Sequence, residues 1–198
     1  MQLKIPKGDF SGYIFDLDGT LVDTMPIHYL AWQAALRKEG LRGRLDEDYF
    51  YELGGVPSRK VAALLGARHG LKVDTEKVFR AKEDIYKSSG VKLAPIAPVI
   101  EFARRARDTH PIAIASGGTK DVVASTLEKA GLSGLFPVVV TADDVAHGKP
   151  APDMFLLAAK LMGVAPETCL VFEDGEQGIK AAESAGMRWV FVPSRRSA

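Results

Sequence analysis

The sequence predicts an α/β fold: a parallel sheet covered by helices on both faces and interrupted, after its first strand, by a helical insertion. Three observations carry this. Short runs recur that are apolar throughout, namely Tyr13-Ile14-Phe15, Ile112 to Ala115, Val138 to Val140, Cys169 to Phe172 and Trp189 to Val192. Strands buried on both faces require that texture. From Pro95 onward, helical patterns of about ten residues separate the runs, as a sheet with alternating crossovers demands. Between Thr24 and Lys92, by contrast, no strand pattern occurs.

The first strand ends in Asp16-Leu17-Asp18-Gly19-Thr20, two acids run into a glycine turn. Gly19 lets the backbone swing, so the two carboxylates can approach one centre from different directions; an ordinary Asp-Gly turn with solvated acids is the plain alternative. The first inserted helix starts near Thr24 and Pro26, places Ile27, Leu30, Ala31, Ala34 and Ala35 at helical spacing, and closes at Gly40. Two more helices follow, from about Pro57 to Arg68 and from about Asp74 to Ser88, the second with Val78, Ala81 and Ile85 on one stripe. Past Pro95, helices from about Pro98 to Asp108, around Val122 to Leu127, from about Pro152 to Met162 and from about Glu176 alternate with the strands. Three of them stop at Gly131, Gly163 and Gly186. Residues 1–22 and 95–198 are thus expected to form the α/β core and residues 23–94 a helical domain set into it.

The chain has 198 residues, 46% of them hydrophobic, enough for a real core. Lys plus Arg at 26 against Asp plus Glu at 25 leaves a net charge of +1, which gives no footprint for nucleic acid or an anionic membrane. The lone Cys169 excludes an internal disulfide and a thiolate metal cluster, and its apolar neighbours mark it as a core thiol. Without a signal-like start or an apolar run approaching the roughly 18 residues a bilayer needs, the expectation is a soluble, cytoplasmic monomer. The Arg195-Arg196 tail reads as a solvated end.

In an open parallel sheet the binding crevice lies at the carboxyl ends of the strands. The residues just after each apolar run are Asp16, Asp18, Gly19 and Thr20; Ser116-Gly117-Gly118; Gly148-Lys149-Pro150; and Glu173-Asp174-Gly175. Four carboxylates and one lysine on one rim are costly without a cation, and an all-oxygen set favours a hard divalent ion such as Mg²⁺. Mg²⁺ keeps water and substrate oxygens among its ligands, which suits a phosphate ester. Ser116 with the amides of Gly117 and Gly118 offers donors to a phosphoryl group, and Lys149 supplies a fixed positive charge. Singly, each of these pieces also fits an ordinary turn or a surface side chain; together they describe a site.

These residues resemble the four motifs of the haloacid dehalogenase superfamily of phosphotransferases: Asp16-Leu17-Asp18-Gly19-Thr20 the first, Ser116 the second, Lys149 in Gly148-Lys149-Pro150-Ala151-Pro152-Asp153 the third, and Glu173-Asp174 the fourth. Within the superfamily the Lys-Pro-Ala-Pro-Asp run is similar to the branch holding β-phosphoglucomutase and small sugar-phosphate phosphatases, fructose-1-phosphate phosphatases included. The resemblance implies a Rossmann-like parallel sheet core with a small helical cap domain inserted after the first strand. It implies Asp16 as nucleophile through an aspartyl-phosphate and Asp18 as general acid and base. Mg²⁺ would be held by Asp16, the Asp18 carbonyl and Asp174 with Glu173 in support, and Ser116 and Lys149 would hold the phosphoryl oxygens. Thr20 and Gly117 would join the substrate contacts.

For the cap the resemblance points to His28 and Trp32, one turn apart and flanking the apolar stripe of their helix, to the loop Gly54-Gly55-Val56-Pro57-Ser58-Arg59, and to Lys82. Gly55 would let the backbone approach the substrate closely. Arg59 falls one place beyond the substrate-binding arginine of the mutases, and a surface role is the alternative; for Lys82 the alternative is a snorkelling side chain. Gly175 stands where serine is usual after the Glu-Asp pair. The chain ends soon after its fifth core strand, which with the Gly-Val-Pro-Ser loop favours the phosphatase side. The expected activity is therefore Mg²⁺-dependent hydrolysis of a small sugar phosphate. A β-phosphoglucomutase-type isomerase and a non-catalytic binding protein on the same fold are the alternatives.

Overall fold

The structure is a computed structural model and describes residues 3–193. The Arg195-Arg196 tail lies outside the described residues. Five strands, β1 (Gly12–Phe15), β2 (Ile112–Ala115), β3 (Val138–Val140), β4 (Cys169–Glu173) and β5 (Arg188–Phe191), form one parallel sheet in the order β3-β2-β1-β4-β5. The chain begins at the centre and builds outward to both sides. The crevice between β1 and β4 is therefore a point where the winding reverses, the place where such sheets hold ligands.

Alternation along β1 divides the core into two layers. Phe15 packs with Val99, Ala103, Val123 and Leu127, from helices α5 (Ala97–Arg107) and α6 (Lys120–Lys129). Ile14 packs with Met154, Phe155, Ala158 and Ala181, from helices α7 (Asp153–Met162) and α8 (Glu176–Ser184). Phe15 also stacks on Phe172 across the β1–β4 register, ring centroids 4.7 Å apart. Burying a side chain of this size stabilises by about 1.5–3 kcal/mol. Both edge strands depart from the expected texture: in β3 only Val140 is fully buried, and in β5 only Val190 is, whereas Trp189 and Phe191 are exposed. An edge strand lacks a neighbour on one side, so its apolar run does not certify two covered faces.

Between β1 and α5 lie four helices, α1 (Met25–Arg37), α2 (Glu47–Glu52), α3 (Ser58–Arg68) and α4 (Thr75–Ser88), with a hydrophobic cluster of their own built on Tyr29, Trp32, Leu36, Leu65 and Phe79. The two connections run side by side, Asp23 N–H donating to Ala94 O at 2.9 Å and Ile96 N–H to Leu21 O at 2.9 Å. Helix α2 was not expected; at six residues it is too short to show a period, and its signal is the cap Asp46, which accepts from Tyr49 N–H at 3.1 Å.

The phase expected for α1 is corrected. Leu30, placed on the apolar stripe, is 59% exposed, while His28 and Trp32, expected to flank it, are 8% and 3% exposed. The helix is wedged between α4 and the core, and the apolar spacing of its own residues does not decide which face those neighbours cover. On α4 likewise, Val78, Phe79, Lys82, Glu83 and Tyr86 are buried, and Ala81 and Ile85 only partly.

Candidate active site

The rim is assembled by sheet register. Asp16 N–H donates to Phe172 O at 2.9 Å, which carries Asp16 one step past β1 to the side of Glu173, the last residue of β4. Lys149 reaches in between them, its Nζ donating to Asp16 Oδ1 and to Glu173 Oε1, each at 2.6 Å, and it is 1% exposed. Oxygens of Asp16, Glu173 and Asp174 all lie within 4.8 Å of one another, close enough to share a metal ion. Glu173 has both oxygens engaged, since Oε2 accepts from Gly175 N–H at 2.7 Å. Asp174 Oδ1 accepts from the Thr20 hydroxyl at 3.2 Å.

Two buried carboxylates, Asp16 and Glu173, and the half-buried Asp174 against one ammonium leave excess negative charge where water screens it poorly. Burial raises the Asp16 carboxyl far above the usual range, and Glu173 and Asp18 add to the rise against the pull of Lys149. Asp174 is raised for the same reasons, burial first and then Glu173 and Asp16. A hard divalent cation removes this frustration, and the all-oxygen donor set fits one. Two glycines let the acids crowd together. Gly19 takes φ +88°, and a Cβ there would collide with Asp174 Oδ2; at Gly178, in the first turn of α8, it would collide with Glu173 Oε1.

Asp18 faces the other way, toward the helical insertion. Its Oδ1 accepts from Thr24 Oγ1 at 2.6 Å and lies 3.1 Å from His28 Nε2. Burial alone would raise this carboxyl, but His28, the Thr24 hydrogen bond and Lys82 outweigh it and bring it down to about 2. A carboxylate only accepts, so Nε2 carries the hydrogen. His28 itself is lowered, by burial first and then by Lys82. Its ring stacks on Tyr86 at 4.1 Å, 7° from parallel. Thr24 is thus spent on Asp18 and makes no side-chain cap for α1.

Between rim and insertion lies a cavity of about 620 Å³, mouth included, within the usual range for a small-molecule site. Asp16, Asp18, Gly117 and Gly118 line it from the core; His28, Trp32, Gly55, Ser58, Lys82 and Glu83 line it from the insertion. The loop Gly54-Gly55 rests on the rim backbone to backbone. A Cβ at Gly117 would meet Gly55 O at 3.1 Å, one at Gly175 would meet Gly54 O at 3.1 Å, and one at Gly55, where φ is +80°, would meet Lys149 Cδ at 3.2 Å. Gly175 in place of serine therefore has a steric reason: a side chain there would push the loop off the fourth strand's end.

Of the residues expected at the site, Asp16, Asp18, His28, Trp32, Gly55, Lys82 and Gly117 line one cavity, and Lys149, Glu173 and Asp174 are bonded or clustered with Asp16. Ser116 is buried just past β2, its Oγ accepting from Gly118 N–H at 3.2 Å. Thr20 is turned to Asp174. The Asp18 side chain is outside the metal-type cluster, so only its carbonyl could serve a cation there. Arg59 does not line this cavity: its Nε donates to Glu76 at 3.0 Å and its guanidinium covers the Phe79 ring at 4.3 Å. Lys82, at 2% exposure, is no snorkelling side chain. Sequence reasoning missed Thr24, read only as lying near the start of the helix, and Glu83, which lies off the apolar stripe of Val78, Ala81 and Ile85 and so carries no signal of its own.

A capped parallel sheet whose carboxyl edge joins three acids to a buried lysine defines a class of enzyme, the phosphoric monoester hydrolases with a carboxylate rim. The comparisons give the family. The chain belongs to the haloacid dehalogenase-like hydrolases, whose family model matches residues 10–186. It is 36% identical over 183 residues to fructose-1-phosphate phosphatase YqaB of Escherichia coli, covering 92% of this chain and 96% of that protein. It is 29% identical over 182 residues to a phosphorylated carbohydrates phosphatase of Thermotoga maritima, covering 90% and 82%. Among solved structures, a hydrolase from Pseudomonas syringae superposes with a TM-score of 0.80 at 26% identity, covering 90% of this chain and 83% of that one.

Proposed function

We propose that the protein is a Mg²⁺-dependent phosphatase of small sugar phosphates working through an aspartyl-phosphate on Asp16. The observation that carries this is Asp16 itself, buried at the end of β1, with one oxygen held by Lys149 and the carboxylates of Glu173 and Asp174 beside it. The likeness to phosphatases of fructose 1-phosphate and of phosphorylated carbohydrates supports the substrate class.

Lys149 fixes Asp16 Oδ1 and leaves Oδ2 to attack phosphorus. As that bond forms, the ester P–O bond breaks, and the leaving oxygen takes a proton from Asp18. At rest Asp18 is a carboxylate, so it must gain that proton as the phosphate's negative charge arrives beside it. It then removes a proton from water, which attacks phosphorus and releases Asp16 and inorganic phosphate. His28 and Thr24 hold Asp18 in place for both transfers. General acid and base action contributes about 10²–10⁴-fold; covalent catalysis and charge neutralisation supply more. Asp16, Asp174 and the Asp18 carbonyl would hold Mg²⁺, with Glu173 orienting Lys149. The ion's chemistry is neutralisation of the phosphoryl oxygens. Ser116 with the Gly117 amide would meet those oxygens on the opposite side. The same reading takes the protein to be a cytoplasmic monomer acting on a diffusible metabolite without nucleic acid. No described helix is long and apolar enough to cross a membrane.

The test is phosphate release from a panel of sugar phosphates with Mg²⁺. Turnover of at least one, lost in Asp16→Asn, is expected; no turnover anywhere, with that variant indistinguishable, overturns the reading. A second reading, phosphoryl transfer between hydroxyls of one sugar, is favoured by His28, Trp32 and Lys82 lining the cavity. It requires conversion of β-glucose 1-phosphate to glucose 6-phosphate with little free phosphate.

A further inference from the structure

Helix α4 sends two adjacent charged residues into the cavity wall, Lys82 at 2% and Glu83 at 6% exposure. Lys82 Nζ donates to Glu83 Oε1 at 2.8 Å and lies over the rings of Trp32 and Tyr86, 5.4 and 5.2 Å from their centroids. The second carboxylate oxygen, Glu83 Oε2, is buried with no hydrogen-bond partner in the protein. A buried acceptor left unpaired is costly, which marks it as waiting for a donor. His28 Nδ1 on the same wall is also unpartnered. Among the residues lining this cavity Lys82 is the only lysine or arginine, and Arg59 is turned to Glu76 outside it.

We propose that Glu83 is a substrate-binding residue that sets specificity. Its Oε2 accepts a hydroxyl hydrogen from the organic part of the ester, and its charge cancels Lys82, so the cap end of the cavity offers no clamp for a second anion. The substrate class is then the monophosphate of a neutral polyhydroxylated compound, with bisphosphates and phosphorylated acids rejected. A free Lys82 would attract a second phosphate; the paired one meets it with an adjacent carboxylate instead. This rests on the phosphatase reading and narrows it.

The experiment compares kcat/KM for the best monophosphate of a hexose, pentose and polyol panel with that for the corresponding bisphosphate and for phosphoglycolate, in the wild type and in Glu83→Gln. In the wild type the monophosphate is expected to lead by about tenfold or more. Glutamine keeps the shape and one acceptor but frees the charge of Lys82. The lead is therefore expected to shrink by about tenfold, chiefly through a lower KM for the anionic substrates. Equal losses on all three substrates would reduce Glu83 to a structural residue and overturn the proposal. So would a wild type that accepts the bisphosphate as readily as the monophosphate, a comparison that stands even where the variant does not fold. Hydrolysis of p-nitrophenyl phosphate by the wild type separates the two claims. Its absence together with silence across the panel sinks the phosphatase reading, whereas its presence with an unmoved selectivity ratio sinks Glu83 alone.

Discussion

The protein buries two lysines, Lys149 bonded to the rim beneath the cavity and Lys82 in its cap wall, and their surroundings differ in a way that separates the work of rim and cap. Lys149 sits between Asp16 and Glu173 with Asp174 alongside, one ammonium for three carboxylates. Lys82 is bonded to one carboxylate, Glu83, and lies over two aromatic rings. The rim is thus short of positive charge, whereas the cap wall is balanced in charge but short of hydrogen bonds. A place lacking cations calls for a metal ion and a reacting phosphate group, and a place lacking donors calls for hydroxyls. Chemistry and selectivity are divided between rim and cap by these two deficits.

The largest effect that would sharpen the contrast comes from Lys149→Met. Removing the ammonium leaves buried carboxylates uncompensated, a change expected to cost about 3–5 kcal/mol of stability and to lower kcat by about 10²-fold or more. Thermal melts and phosphate release measure both. A variant of wild-type stability in metal-free buffer would break the claim that the rim lacks positive charge.

Metal removal tests the same deficit without mutation. Burial holds protons on Asp16 and Asp174 more tightly in the folded protein than in the unfolded chain. These two acids bind more protons in the folded state from about pH 4 up to about 8, the lowered His28 alone working against them. With two groups against one, metal-free stability is expected to fall as pH rises through that window. The melting temperature in EDTA is expected to drop between those limits. Mg²⁺ at a hundredfold above its Kd is expected to return about 2.7 kcal/mol. A metal-free melting temperature that climbs with pH would refute this.

A steric change comes next. Gly178→Ala sets a methyl group against Glu173 Oε1, so Glu173 must move and loosen its hold on Lys149. Displacements of that order at a catalytic constellation cost about 10²-fold in rate. The smallest effect is expected from Arg59→Ala. Its ion pair with Glu76 is exposed, and kcat/KM for any sugar monophosphate should stay within about twofold of the wild type. A tenfold loss would bring Arg59 back to the substrate.

The amino-acid sequence by itself determined the parallel sheet, its helical insertion and the identity of the rim. Apolar runs mark the strands, in the centre of the sheet those covered on both faces, and the residues following them fall at the sheet's carboxyl edge whatever else surrounds them. Only the tertiary structure decided which face of α1 is covered, so that Leu30 is exposed and His28 buried. It also decided that Arg59 turns away, that Gly175 makes room for Gly54, and that Trp189 and Phe191 sit on an open edge. The reason is physical. Backbone period tells which residues share a side of an element, but which side is enclosed depends on distant parts of the chain packing against it. Lys82 was legible as a candidate from its stripe, but its pairing with a buried Glu83 was decided by the packing of α1 against α4, which sets Trp32 over the ammonium.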